Sequence, residues 1–184
     1  MANIDHPHGF EWIKNPHGGS ETPRIEDFDA YYATGYTLYR GQCVKLDAAG
    51  YLRPVTGTGA GADTHIVGIC QRHVVVPDDT VVRGIPVVLC AHSCFRIQMD
   101  ENFAVTTRAG FMAIIGTDYD MVNPAAGDTL GNSTTELAGA GGGDACTVIW
   151  WDERPDNTFG PYMDVIIRFP SDVLVDGPEF VDQA

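Results

Sequence analysis

Positive charge is scarce in this sequence. Lys and Arg total 11 against 25 Asp and Glu, a formal net charge of −14, and the basic residues are scattered with no run among them. Gripping a phosphate backbone takes a concentrated basic face. Nucleic-acid binding is therefore disfavoured, and so is adhesion to an anionic membrane. Long apolar runs are missing as well: nothing approaches the ~20 residues that span a bilayer. The first residues carry Asp5 where a secretory signal would be basic and then apolar. The expectation is a soluble protein made in a cytoplasm, with an acidic surface that keeps it soluble and limits non-specific contacts.

Close cysteine pairs are also lacking. The count of five is odd and contains no CxxC, while Cys43, Cys70, Cys90 and Cys94 sit in apolar stretches where a free thiol behaves as a small hydrophobe. A disulfide framework is not expected. The usual signatures of catalysis are missing too. There is no GxSxG, and neither Gly57 to Gly61 nor Gly139 to Gly143 has the spacing or the following helix that a phosphate cradle needs. Both read as hairpin loops.

Cys90, His92 and Cys94 alternate along a strand and invite a zinc reading. Residues two apart on a strand stand about 6–7 Å from each other, whereas zinc holds its ligands at about 2.0–2.3 Å. Buried packing is the better account. Adjacent strand residues point to opposite faces, so His92 does not activate Ser93. The carboxylates gather in turns and tails, as at Asp78-Asp79 and Asp152-Glu153. No enzyme, cofactor or metal is expected.

What the chain does have is Gly and Pro, 21 and 11 of them, dividing short β-branched runs from one another. Cys43 to Leu46, Tyr51 to Val55, His65 to Cys70, Ile85 to Ile97, Cys146 to Trp151 and Met163 to Phe169 read as strands, with turns such as Asp47 to Gly50 and Pro155 to Asn157 between them. This pattern predicts an all-β fold, a small β-barrel or jelly-roll-like sandwich. The body is expected over 37–169, preceded by an extended N-terminal arm over 1–36 and followed by an acidic C-terminal tail over 170–184.

The arm holds two Pro-His-Gly triplets, Pro7-His8-Gly9 and Pro16-His17-Gly18. Pro biases the residue before it toward extended backbone and Gly permits sharp bends, so the segment reads as a twice-bent extended arm. His8 and His17 are then hydrogen-bonding contacts rather than ligands. Trp150 and Trp151 are expected on opposite faces of one strand, one in the core and one at a subunit interface, where Trp is enriched. Tyr31 and Tyr32 either staple the arm to its own domain or face a partner.

The opening MANIDHPHGF resembles a group of tailed-bacteriophage virion proteins that begin Met-Ala-Asn-[Ile/Val]-Asp-x-Pro-x-Gly-[Phe/Leu]. Further blocks are similar: Gly41, Val44 and Leu46 in a Gly-x-x-Val-x-Leu strand, Ile66 to Ile69 as Ile-Val-Gly-Ile, and Pro86-Val87-Val88. The segment Cys90 to Cys94 and the stretch after Pro170 have no counterpart. The resemblance implies a head decoration, or cement, protein with a small β body and an N-terminal arm. Its implied partners are the major capsid protein and other copies of itself, a homotrimer before a dimer, on the outer surface of the capsid. Ile4, Phe10, Trp12, Ile13, Tyr31, Tyr32 and Trp151 are the expected contact residues. Two rival readings remain: a virion surface module binding a host glycan or receptor through loops such as Gly57 to Asp63 or Asn123 to Gly143, and a cupin-like metal enzyme using His65, His73 and His92.

Overall fold

A computed structural model describes residues 3–13, 22–57, 66–91, 93–139 and 143–170. It is built almost entirely of antiparallel strands in two five-stranded sheets and two short ribbons. The first sheet has the order β1 (Glu11–Ile13), β9 (Cys94–Gln98), β14 (Asp164–Arg168), β13 (Cys146–Trp151) and β10 (Asp118–Tyr119). The second runs β2 (Ile25–Ala30), β8 (Val82–Leu89), β6 (Ile66–Cys70), β4 (Cys43–Leu46) and β5 (Leu52–Pro54). One ribbon pairs β3 (Tyr36–Leu38) with β7 (Val74–Val76), and the other pairs β11 (Met121–Val122) with β12 (Glu136–Leu137). The single described helix, α1 (Arg108–Met112), starts where the Thr107 hydroxyl accepts the Gly110 amide at 3.1 Å, an N-cap that satisfies one of the first free amides. No helix among the described residues is long and apolar enough to cross a membrane.

Strand alternation places two cores on the two sides of the second sheet. Cys43, Ile69 and Val88 face the first sheet, where they meet Phe95, Ile97, Val148, Val165 and Ile167. Their neighbours Val44, Cys70 and Val87 face the other way, onto Leu38, Val74 and Val76 of the β3–β7 ribbon. A sheet covered on both faces needs apolar residues at every position rather than every second one. That is why Ile85 to Cys90 reads as one apolar run.

The architecture is thus an all-β sandwich and not a closed barrel. The second sheet curls until β2 and β5 come close, yet no backbone ladder joins them. Side chains span the gap instead. The Tyr31 ring lies 5.5 Å from that of Tyr51, and the Arg53 guanidinium sits 3.8 Å above the Tyr32 ring while pairing with Asp47 at 2.7 Å. The Tyr36 hydroxyl donates to the Leu52 carbonyl.

The lead-in differs from the extended arm the sequence predicts. Over its described residues it is part of the body: β1 forms one edge of the first sheet, β2 one edge of the second, and Phe10 is 1% exposed in the main core. The reason is local. In Ile25-Glu26-Asp27-Phe28-Asp29-Ala30 the side chains of Phe28 and Ala30 pack inward, with acidic residues between them. Acidic composition hides a period of two. Residues 171–184 of the expected tail lie outside the described residues, as do Pro16, His17 and Gly18 of the second triplet.

Candidate functional site

Residues 3–8 cross the face of the first sheet that points away from the core, before β1 joins its edge, and several of their polar groups are bonded to the body. The Asn3 amide nitrogen donates to the carbonyls of Thr158 and Pro161 at 2.7 and 2.9 Å, and its oxygen accepts the Thr158 amide at 2.9 Å. Gln98 holds the next turn with both ends of its side chain, donating to the Ile4 carbonyl and accepting the His6 amide at 3.0 Å each. Phe10 donates its amide to the Gly41 carbonyl at 2.8 Å. Gly9 makes this approach possible: its φ is +67°, and a Cβ there would lie 2.6 Å from the Gly41 oxygen. Any side chain at position 9 would collide with Gly41 and Ser133.

Beneath the strap runs a chain of alternating charge. Glu11 pairs with Arg96, Arg96 with Asp152 at 2.9 Å, Asp152 with Arg154 at 2.7 Å, Arg154 with Asp164, and Asp164 with the His8 Nε2 at 3.3 Å. Burial works to raise the Glu11 carboxyl, but the Arg96 hydrogen bond and the charges of His8 and Arg96 outweigh it and hold the group below its ordinary value. Burial likewise opposes the Arg96 cation, and the bonds to Asp152 and Glu11 more than restore it. Asn157 locks the centre by accepting the Asp164 amide and donating to the carbonyls of Asp152 and Asp164.

Two clefts flank this strap. The smaller, about 250 Å³, opens between Ile4, His6, Arg154, Tyr162 and Asp164. The larger, about 510 Å³, lies where the edges of the two sheets part, with Phe10 and Val88 as its floor and Trp12, Pro23, Ile25 and Arg40 around it.

Large apolar side chains also stand in the open. Ile4 is 79% exposed although its backbone is bonded to Gln98. Leu130 is 83% exposed at the tip of a turn that is anything but loose. The Asp128 carboxylate accepts the amides of Leu130 and Asn132 at 2.9 and 2.7 Å and the Asn132 side chain at 3.0 Å. Those bonds, led by the Asn132 side chain, hold the Asp128 carboxyl below its ordinary value. Arg40 ties the same turn to the body through its own backbone and a 2.7 Å bond to Asn132 Oδ1. Gly131, at φ +87°, lies against the His73 ring, which stacks on Tyr39 at 5.6 Å.

Of the expected contact residues, Ile4 is exposed, Trp12 and Ile13 are half-buried on β1, and Tyr31 and Tyr32 join the two edges of the second sheet. Phe10 is a core residue. It packs on Phe169 at 5.3 Å and Phe95 at 6.4 Å, so it anchors the strap to its own body. Trp151 is also buried, against Phe111 and Phe159. A bulge in β13 between Val148 and Trp150 shifts the phase of the strand, so that Trp151, opposite Val165, is the buried indole, while Trp150, opposite Ile166, is half-buried with its ring stacked on Trp151 at 4.4 Å. Leu130 is not among the expected contact residues. Its one signal is being a large apolar residue in a polar, Gly-rich stretch, which it shares with Leu137.

All five cysteines are free and buried, and burial pushes the thiols of Cys43, Cys90 and Cys146 well up. His65 and His92 of the cupin-like reading lie outside the described residues, and His73 is committed to Tyr39. Among the described residues, no three His, Cys, Asp or Glu side chains gather into a metal-holding group. Comparison of the chain with protein-family profiles, curated proteins and solved structures finds no match.

Proposed function

We propose that the chain is a capsid decoration protein, binding the outer surface of a tailed-phage head and cross-linking neighbouring coat subunits without catalysis. The observation that carries this reading is the pair of rigidly mounted apolar side chains, Ile4 and Leu130. An exposed apolar residue on a loose loop loses much of its binding energy to ordering, whereas one already held by its backbone does not. Anchors of this kind, few and pre-organised, dominate protein interfaces. The likeness of the first ten residues to phage virion proteins supports the same reading, as does an acidic surface that would steer the protein onto basic or polar coat patches rather than onto packaged DNA.

Copies arranged as a homotrimer would repeat these anchors and gain by avidity. The test is co-sedimentation of the purified protein with expanded heads of the phage that encodes it. Wild-type protein should pellet with the heads. Leu130→Asp and Ile4→Asp should each weaken binding roughly 10- to 100-fold, the equivalent of losing about 1.5–3 kcal/mol of apolar burial. Wild-type protein left in the supernatant at every concentration would overturn the proposal.

A further inference from the structure

We propose that the larger cleft is the seat of the chain's own acidic C-terminal segment, residues 171–184. This goes beyond the capsid reading and does not depend on it. Three observations converge.

The first is the character of the cleft. Its floor is made by Phe10 and Val88, its walls include Pro7, Trp12, Pro23 and Ile25, and its volume of about 510 Å³ falls in the range of pockets that enclose a ligand. His6, His8, Glu11, Arg40, Gln71, Asp128 and Asn132 complete the lining, so the cleft suits a segment that mixes apolar and polar side chains.

The second is where the described chain ends. β14 pairs with β9 and β9 with β1, so that Ile167 lies opposite Phe95 and Phe95 opposite Trp12, a wall residue of the cleft. Two residues after Ile167, the Phe169 ring rests 5.3 Å from that of Phe10, a floor residue. Fourteen further residues, at about 3.3 Å each when extended, reach roughly 45 Å, far more than the distance to any part of the cleft.

The third is the sequence of the segment. Val173-Leu174-Val175 and Phe180-Val181 supply apolar side chains, and Asp172, Asp176, Glu179 and Asp182 are set between them. With the apolar side chains on the floor, the carboxylates fall at the rim. There Arg40 presents a guanidinium bonded to the neutral Asn132 amide. The rim acids Glu11 and Asp128 are engaged elsewhere, with Arg96 and with the amides of their own turn. Occupation by the same chain is favoured over a second copy because covalent attachment gives millimolar effective concentration.

The experiment uses the full-length protein with methyl-labelled Val and Leu. Nuclear Overhauser contacts are expected from Val173, Leu174 or Val175 to the Trp12 indole. Acrylamide quenching of Trp12, taken as the difference from a Trp12→Phe chain, should rise several-fold in a Leu174→Asp, Phe180→Asp double variant and by less in Arg40→Glu. A denaturation midpoint close to wild type shows that these variants are folded. The proposal is overturned by absent contacts with unchanged quenching. It is equally overturned by contacts seen only between differently labelled copies in a mixed sample, or by contacts to Trp12 that come from residues 14–21 instead.

Discussion

The two sheets of this sandwich are covered on their outer faces by opposite means. The second sheet turns Val44, Cys70 and Val87 toward an apolar ribbon, where Leu38, Val74 and Val76 close over them. The first sheet turns Arg96, Gln98 and Asp164 toward the N-terminal strap, which is held by hydrogen bonds and a run of ion pairs, with Phe10 as its one fully buried apolar anchor. Apolar cover depends on area removed from water and is indifferent to pH. Polar cover depends on geometry and on the charge state of each partner. The strap side is therefore the one that solution conditions can loosen.

The comparison breaks most visibly at Phe10. Phe10→Ala should destabilise the fold by about 3–5 kcal/mol in chemical denaturation, because it opens a cavity under the strap and removes its apolar anchor together. A smaller loss would mean that the polar bonds alone hold residues 3–13. On the other side, Leu38→Ala should cost about 2–4 kcal/mol, with the same loss at low and high salt. A salt-dependent loss there would erase the distinction drawn above.

Asp164→Asn should cost about 1–3 kcal/mol, since Arg154 and His8 lose their shared carboxylate in a mostly buried position. Part of that cost should disappear at high salt, where exposed charge is screened within about a Debye length. The smallest effect is a pH slope. Burial, then the charges of Asp5, Asp100 and Glu101, raise the Glu136 carboxyl from 4.5 to about 7. A folded pKa above the unfolded one means that the folded state binds the extra proton, so stability falls as pH rises from about 4.5 to about 7. Glu136→Gln should flatten that decline, measured as the denaturation midpoint across the interval. An unchanged slope would assign it to another group.

The body of the fold was open to reading from sequence because its strands are rich in β-branched residues and separated by Gly, Pro and Asp turns. The ladder from Cys43 to Pro54 and the pairing of β13 with β14 follow from that pattern. The lead-in resisted because edge strands need few apolar residues. Three residues suffice for β1, and β2 alternates acids with Phe28 and Ala30, which composition alone presents as a polar arm. Ile4 stands apart in a polar stretch, and it is exposed. Phe10 looked similar, and only the register of β1 on β9 shows that the residue before the strand dips into the core. Which indole of the Trp150-Trp151 pair is the buried one was hidden for a sharper reason. One bulge shifts the phase of a strand, and no feature of Cys146 to Trp151 announces it.

The five buried thiols give the protein a quiet background for chemical labelling. Each is enclosed and each resists ionisation, so the native chain should ignore maleimide reagents that need an accessible thiolate. A single cysteine placed at an exposed position such as Ala91 or Thr106 would then be the one site a dye finds. The native five would report only on molecules that have opened, which turns the sandwich interior into its own clock for unfolding.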